Sequence, residues 1–125
     1  MKNNNITVFD FDGTLLEGDS IVLYCKWLSN SLIEFYLIYY FKFKLLKIIN
    51  PSLDLKYERV KFFLNRQKNK KLCIEEFNLI LKENLFFDSL KILKDSQSDS
   101  VVYIVSASFN EIIKSFCVNI LNVNI

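Results

Sequence analysis

The sequence predicts an α/β fold, built on a parallel sheet of which two strands are present, with a block of helices inserted after the first strand. Three observations carry this expectation. A short apolar run, Ile6–Phe9, gives way to Asp10, Asp12 and Gly13. A continuous run of β-branched and aromatic residues, Val101–Val105, lacks the alternation of a half-exposed strand and reads as a strand buried on both faces, as in a parallel sheet. Between the two runs, and again after the second, apolar residues recur at helical spacing.

Taken in order, Ile6–Phe9 is expected to be a short buried strand, and residues 10–18 a loop holding both glycines of the chain, Gly13 and Gly18. Asp19 or Ser20 is placed to cap the helix that follows. Residues 21–49 are apolar nearly all round, with Lys26, Glu34, Lys42, Lys44 and Lys47 as interruptions, until Pro51 breaks the run. Tyr57, Val60 and Leu64 fall at helical spacing, as do Ile74, Phe77 and Leu81, and a further helix is expected over Asp88–Lys94. The polar stretch Asp95–Ser100 reads as a turn before the second strand. In a last helix Phe109, Ile112, Ile113, Phe116, Cys117, Ile120 and Leu121 form one stripe, and Ser108-Phe109-Asn110-Glu111 is a capping-box pattern that would start it. On this reading residues 1–18 and 86–125 make the α/β core and 19–85 the helical insertion.

Composition narrows the function classes. With 125 residues, 51% of them hydrophobic, the chain can bury the core of one modest domain. A net charge of +2, from 16 basic and 14 acidic residues, makes no electrostatic case for nucleic acid. The local basic run Arg66–Lys71 reads as a solvated loop. The chain has no histidine, which excludes a Ser-His-Asp triad, a Cys-His pair and a His-ligated zinc. Cys25, Cys73 and Cys117 are scattered and form no CxxC, so core packing in a reducing, cytoplasmic setting is expected. The N-terminus Met1-Lys2-Asn3-Asn4-Asn5 is not a signal peptide.

The chemistry concentrates in Val8-Phe9-Asp10-Phe11-Asp12-Gly13-Thr14-Leu15-Leu16. Strand alternation points Asp10 and Asp12 the same way at a strand tip, and Gly13 permits a sharp turn just after them. Two acids beside a turn of free backbone N–H groups suit a divalent cation and a phosphate. Ser106 follows the second strand directly in Val105-Ser106-Ala107-Ser108, and the C-terminal end of a strand is where open α/β sheets bind ligands.

These two segments resemble the first and second motifs of the haloacid dehalogenase-like (HAD) hydrolases. The helical insertion is similar to the cap of that family's phosphoserine-phosphatase-like branch. The resemblance covers the first twenty residues and about Val101–Val123; between them only helical character and length agree. It implies a partial HAD-type Rossmann-like core and a Mg²⁺-dependent phosphomonoester hydrolase working through an aspartyl-phosphate. Asp10 would then be the nucleophile and Asp12 the acid/base, the two of them also holding the metal. Phe11, Gly13, Thr14, Ser106 and Ala107 would surround the phosphate. Asp19 would meet the substrate from the cap side, its plainer role being a helix N-cap. Ser108 reads as a simple cap, Glu17 as solvated, and Trp27 as core.

Residues 27–41 carry one charge, Glu34, and are too short and interrupted for a membrane span, which needs roughly 20 apolar residues. The segment reads either as a buried cap helix or hairpin, or as a surface that meets lipid, with Lys42, Lys44 and Lys47 near anionic headgroups. The whole pattern is similar to phosphatidylglycerophosphatase C-like enzymes, so the substrate is expected to be a lipid phosphate or a small phosphorylated metabolite. The family's third motif, a lysine, and its fourth, an acidic pair, lie after the second strand; here the sequence ends one helix after Ser106, with no acid beyond Glu111 and with Lys114 on the wrong side of that helix. The chain therefore reads as the N-terminal part of a longer HAD protein. Taken alone it would show weak or absent turnover, open sheet edges and an uncovered helix stripe. The alternative from another class is a non-catalytic fragment that completes its fold with another polypeptide.

Overall fold

A computed structural model describes residues 5–66, 74–123 and 125. Their elements run β1 (Ile6–Asp10), α1 (Ser20–Leu28), α2 (Leu32–Tyr36), a π-helical stretch (Leu37–Lys42), α3 (Phe43–Ile49), α4 (Leu55–Arg66), α5 (Ile74–Glu83), α6 (Phe87–Asp99), β2 (Val101–Val105) and α7 (Asn110–Asn119). The chain is helix-rich with a two-stranded parallel sheet, as an α/β pattern requires. Apart from Arg66, the basic run lies outside the described residues, as does Cys73. The chain divides into two compact units, Met1–Ser20 with Asn78–Ile125, and Ile21–Phe77.

In the first unit β1 and β2 pair in parallel with Ile6 opposite Val101 and Asp10 opposite Val105. The two strands therefore end side by side, and the residues after each emerge at the same sheet end. Val102 and Ile104 are buried with Leu93, Ile112, Ile113, Phe116 and Cys117. Phe11 is fully buried, edge to face with Phe116 at a ring separation of 6.0 Å. Such closely packed rings fix the start of the loop against the helix that follows β2.

Three expectations about this unit need correction. The strands are not buried on both faces: Ile6, Val8, Val101, Tyr103 and Val105 are all exposed, because among the described residues helices cover only one side of the sheet. The stripe of α7 is instead covered, with Ile112, Ile113, Phe116, Cys117 and Leu121 buried, Phe109 half-buried and Ile120 exposed. Asp95–Ser100 is not a turn; α6 continues to Asp99. Its serines bond back into the helix, Ser96 Oγ donating to Ile92 O and Ser98 Oγ to Asp95 O, which removes their competition with the main chain.

In the second unit the apolar run over residues 21–49 is divided into several helical stretches. α1 ends at Leu28, and Ser31 starts a new helix, its Oγ accepting the Glu34 N–H at 3.1 Å. The three helical stretches from Leu32 to Ile49 bury Phe35, Tyr39 and Phe43, one residue in four, and expose most of the rest. Phe35 packs on Tyr39 and Phe63, and the Arg59 guanidinium lies 4.1 Å from the Tyr39 ring centre. α1 and the start of α5 add Tyr24 and Trp27 around Phe77. The helix stops at Ile49, before Pro51. No helix among the described residues is long and apolar enough to cross a membrane.

Candidate functional site

β1 delivers Asp10 as its last residue, exposed at the strand tip. The chain then closes on itself. Thr14, Leu15 and Leu16 all donate main-chain N–H groups to Phe11 O, and Gly13 N–H donates to Leu16 O and Gly18 O. Gly13 sits at φ +75° and Gly18 at φ +105°, a region open to glycine and costly for a Cβ-bearing residue. The loop is held further by Glu17 N–H to Asn84 O at 2.7 Å and Phe86 N–H to Leu15 O at 2.8 Å.

This closure corrects the expected turn of free N–H groups. The Gly13 N–H is used inside the loop, and the Phe11 N–H donates to Asp10 Oδ1 at 2.9 Å. Neither is placed to cradle an anion. Thr14 instead steadies the first acid, its Oγ1 donating to Asp10 Oδ2 at 3.4 Å.

Asp12 is half-buried and Oδ1 accepts the Ser20 N–H, the first residue of α1, at 2.8 Å. Burial pushes its carboxyl above the usual aspartate range; the Ser20 main-chain N–H opposes that push, and the charges of Asp19 and Asp10 add to it. Asp19 itself is exposed in the loop just before α1.

From Ser20 the network crosses to the second strand. Ser20 is fully buried, and its Oγ donates to Ser108 Oγ at 2.7 Å. The Ser108 N–H donates to Ser106 Oγ at 3.0 Å. One run of hydrogen bonds thus joins Asp12, Ser20, Ser108 and Ser106, gathering the residues that follow β1 and β2 at one sheet end. Ser106 is half-buried and Ala107 exposed. The expected capping box at Ser108 does not form: α7 begins at Asn110 after Phe109, with no side-chain cap. Ser108 serves the inter-strand link instead. Sequence reading missed this use of Ser20 and Ser108, since a hydroxyl pair 88 residues apart leaves no local pattern.

Beside the loop a cleft of about 480 Å³ is lined by Gly13, Thr14, Phe86, Phe87, Asp88 and Ser89. No cluster of three or more His, Cys, Asp or Glu side chains that could hold a metal occurs among the described residues. Asp10 and Asp12 remain a hard-oxygen pair, which fits Mg²⁺ in the manner usual for that ion, with one or two carboxylates and the rest of its shell from water and phosphate. Comparison of the chain with protein-family models, with curated proteins and with solved structures finds no match.

Proposed function

We propose that the chain carries a phosphoryl-transfer site of the HAD type, acting as a Mg²⁺-dependent phosphomonoester hydrolase in the cytoplasm on a small-metabolite or lipid phosphate. The observation that carries this reading is the hydrogen-bonded run from Asp12 through Ser20 and Ser108 to Ser106, with Asp10 at the adjoining strand tip. It supports a site in which two carboxylates and a hydroxyl meet one phosphate.

In this reading an Asp10 carboxylate oxygen attacks phosphorus in line, forming an Asp10–phosphate bond as the ester P–O bond breaks. Asp12 gives its proton to the leaving alkoxide oxygen. It then takes a proton from the water that attacks the phosphoryl group, releasing inorganic phosphate and restoring Asp10. Thr14 holds the Asp10 carboxylate in place. Ser106 and Ala107 meet the phosphoryl oxygens, and Asp19 faces the alcohol part of the substrate. Mg²⁺, held by the Asp10 carboxylate and the Asp12 main-chain carbonyl, would screen the repulsion between Asp10 and the phosphate dianion.

The test is phosphoryl trapping. The chain is incubated with Mg²⁺ and acetyl phosphate, quenched in acid and mapped by mass spectrometry. A phosphoryl group on Asp10, absent from Asp10→Asn, is the expected result; label elsewhere, or label that survives Asp10→Asn, overturns the assignment.

A second reading, a non-catalytic fold that completes its sheet with another polypeptide, is favoured by the exposed apolar residues Ile6, Val8, Val101 and Val105 beside strand edges that no other described residue pairs. Size-exclusion chromatography separates the two: a stable compact monomer argues against it.

A further inference from the structure

The outer surface of the Ile21–Phe77 unit carries two adjoining helical rows. Ile33, Leu37, Phe41, Leu45 and Ile49 follow one another at four-residue spacing, all apolar and all exposed, from 47% at Leu45 to 79% at Ile49. Leu32, Tyr36, Tyr40, Lys44 and Ile48 form the second row, exposed throughout, with the Tyr36 and Tyr40 rings stacked 5.8 Å apart. Nine of these ten residues are apolar or aromatic. A helix that buries Phe35, Tyr39 and Phe43 on one side and shows such rows on the other has two apolar faces, only one of which the unit itself covers. A contiguous apolar patch of this kind marks an interaction surface.

The chemistry beside the rows says what the surface meets. A cleft of about 420 Å³ is lined by Tyr40, Lys44, Lys47, Ile48, Leu55 and Arg59: three cations and no acid. Two of the cations are anchored. Lys47 Nζ donates to Leu53 O at 2.7 Å, and Arg59 Nε donates to Tyr39 O at 2.9 Å while its guanidinium stacks on the Tyr39 ring. The single acid of the helical stretch, Glu34, pairs with Arg66. A cationic cleft opening beside apolar rows complements a surface that is anionic outside and apolar just beneath, which is the interface of a bilayer containing anionic lipid. A second copy of the chain on a two-fold axis is disfavoured, because it would set Lys44, Lys47 and Arg59 against their own images.

We propose that this unit docks on an anionic lipid bilayer, the Ile33–Ile49 row entering the acyl boundary and the Lys44–Lys47–Arg59 cleft receiving a lipid headgroup phosphate. The inference stands on this unit alone and does not depend on the chemistry assigned to Asp10.

Vesicle flotation of the full chain tests it, using phosphatidylcholine vesicles with and without phosphatidylglycerol. The chain is expected to float with the anionic vesicles and to stay down with phosphatidylcholine alone. Lys44→Gln should lower the partition coefficient roughly fivefold, as loss of one interfacial cation does. Phe41→Ser with Ile49→Ser, both at solvent-exposed positions, should abolish flotation while circular dichroism stays unchanged. If that double variant loses helix, the Lys44→Gln arm and the fall in binding with added salt decide in its place. Failure to float with anionic vesicles overturns the proposal. So does flotation indifferent to Lys44→Gln and to salt, or a concentration-dependent dimer that the Phe41 and Ile49 substitutions dissolve. Phosphoryl labelling of Asp10 is unaffected by any of these outcomes.

Discussion

The Asp12 carboxylate accepts the main-chain N–H of Ser20 at 2.8 Å, so the second acid of the loop fixes the first residue of α1. Ser20 in turn spends its hydroxyl on Ser108. A candidate acid/base and the loop after the second strand are therefore linked through one buried serine, and several expectations follow from that link and its surroundings.

Asp12→Asn keeps the oxygen that accepts from Ser20 and removes the charge. The folded-state pKa of Asp12 lies above 3.8, so the folded chain holds that proton more tightly than the unfolded one. Its contribution to stability is fully present below pH 3.8 and is lost as pH rises through the folded value. Asp12→Asn should therefore be more stable than the parent at neutral pH, with a flatter dependence of stability on pH above 3.8. Urea unfolding across that range, in chelator, checks both; a variant less stable at neutral pH would count against a buried, destabilised carboxylate.

Ser20→Ala leaves the main-chain bond to Asp12 and removes the hydroxyl link to Ser108. Loss of a buried neutral hydrogen bond should cost about 1 kcal/mol, with Ser108 left to find another partner. A cost near zero by urea unfolding would mean that the hydroxyl pair does not hold the two loops together.

Gly13→Ala places a Cβ where φ is +75°, though nothing lies within 4 Å of that atom. The penalty is conformational rather than steric, about 1–2 kcal/mol. Gly13→Asn should cost less, because asparagine tolerates the left-handed region. Equal melting temperatures for the two variants would contradict a purely conformational origin.

Burial pushes the Cys117 thiol up to about 12, and the Asp12 charge adds to the effect. Iodoacetamide at about pH 8 should leave the Cys117 peptide unmodified in the native chain and label it fully in denaturant, since the thiolate is the reactive form. Peptide mapping that finds native labelling at Cys117 would show that the packing around Phe116 is open.

Much of the fold was readable because it rests on runs and periods. The two strands and their parallel pairing follow from Ile6–Phe9 and Val101–Val105, and the spacing of Ile112, Ile113 and Phe116 marks the apolar stripe of α7 but not its coverage. What was misread depends on partners distant in sequence. A run such as Val-Val-Tyr-Ile-Val does not reveal that one face of its strand stays in solvent. Ser31-Leu32-Ile33-Glu34 is a helix-start pattern inside the apolar run, and it is where α2 begins after the end of α1. In the site, Asp10, Asp12 and Ser106 stood out by position. The use of the loop N–H groups within the loop is a main-chain arrangement of residues 11–18 that no side-chain pattern announces, and the Ser20–Ser108 bridge arises only when residues 88 apart meet.

The central claim, that Asp10 and its neighbours form a phosphoryl site, is tested most directly by fluorine-19 NMR with beryllium trifluoride, which mimics a phosphoryl group on a carboxylate. Bound resonances that need Mg²⁺ and vanish in Asp10→Asn are the expected result. Spectra showing no bound species, or the same bound species in Asp10→Asn, would contradict it.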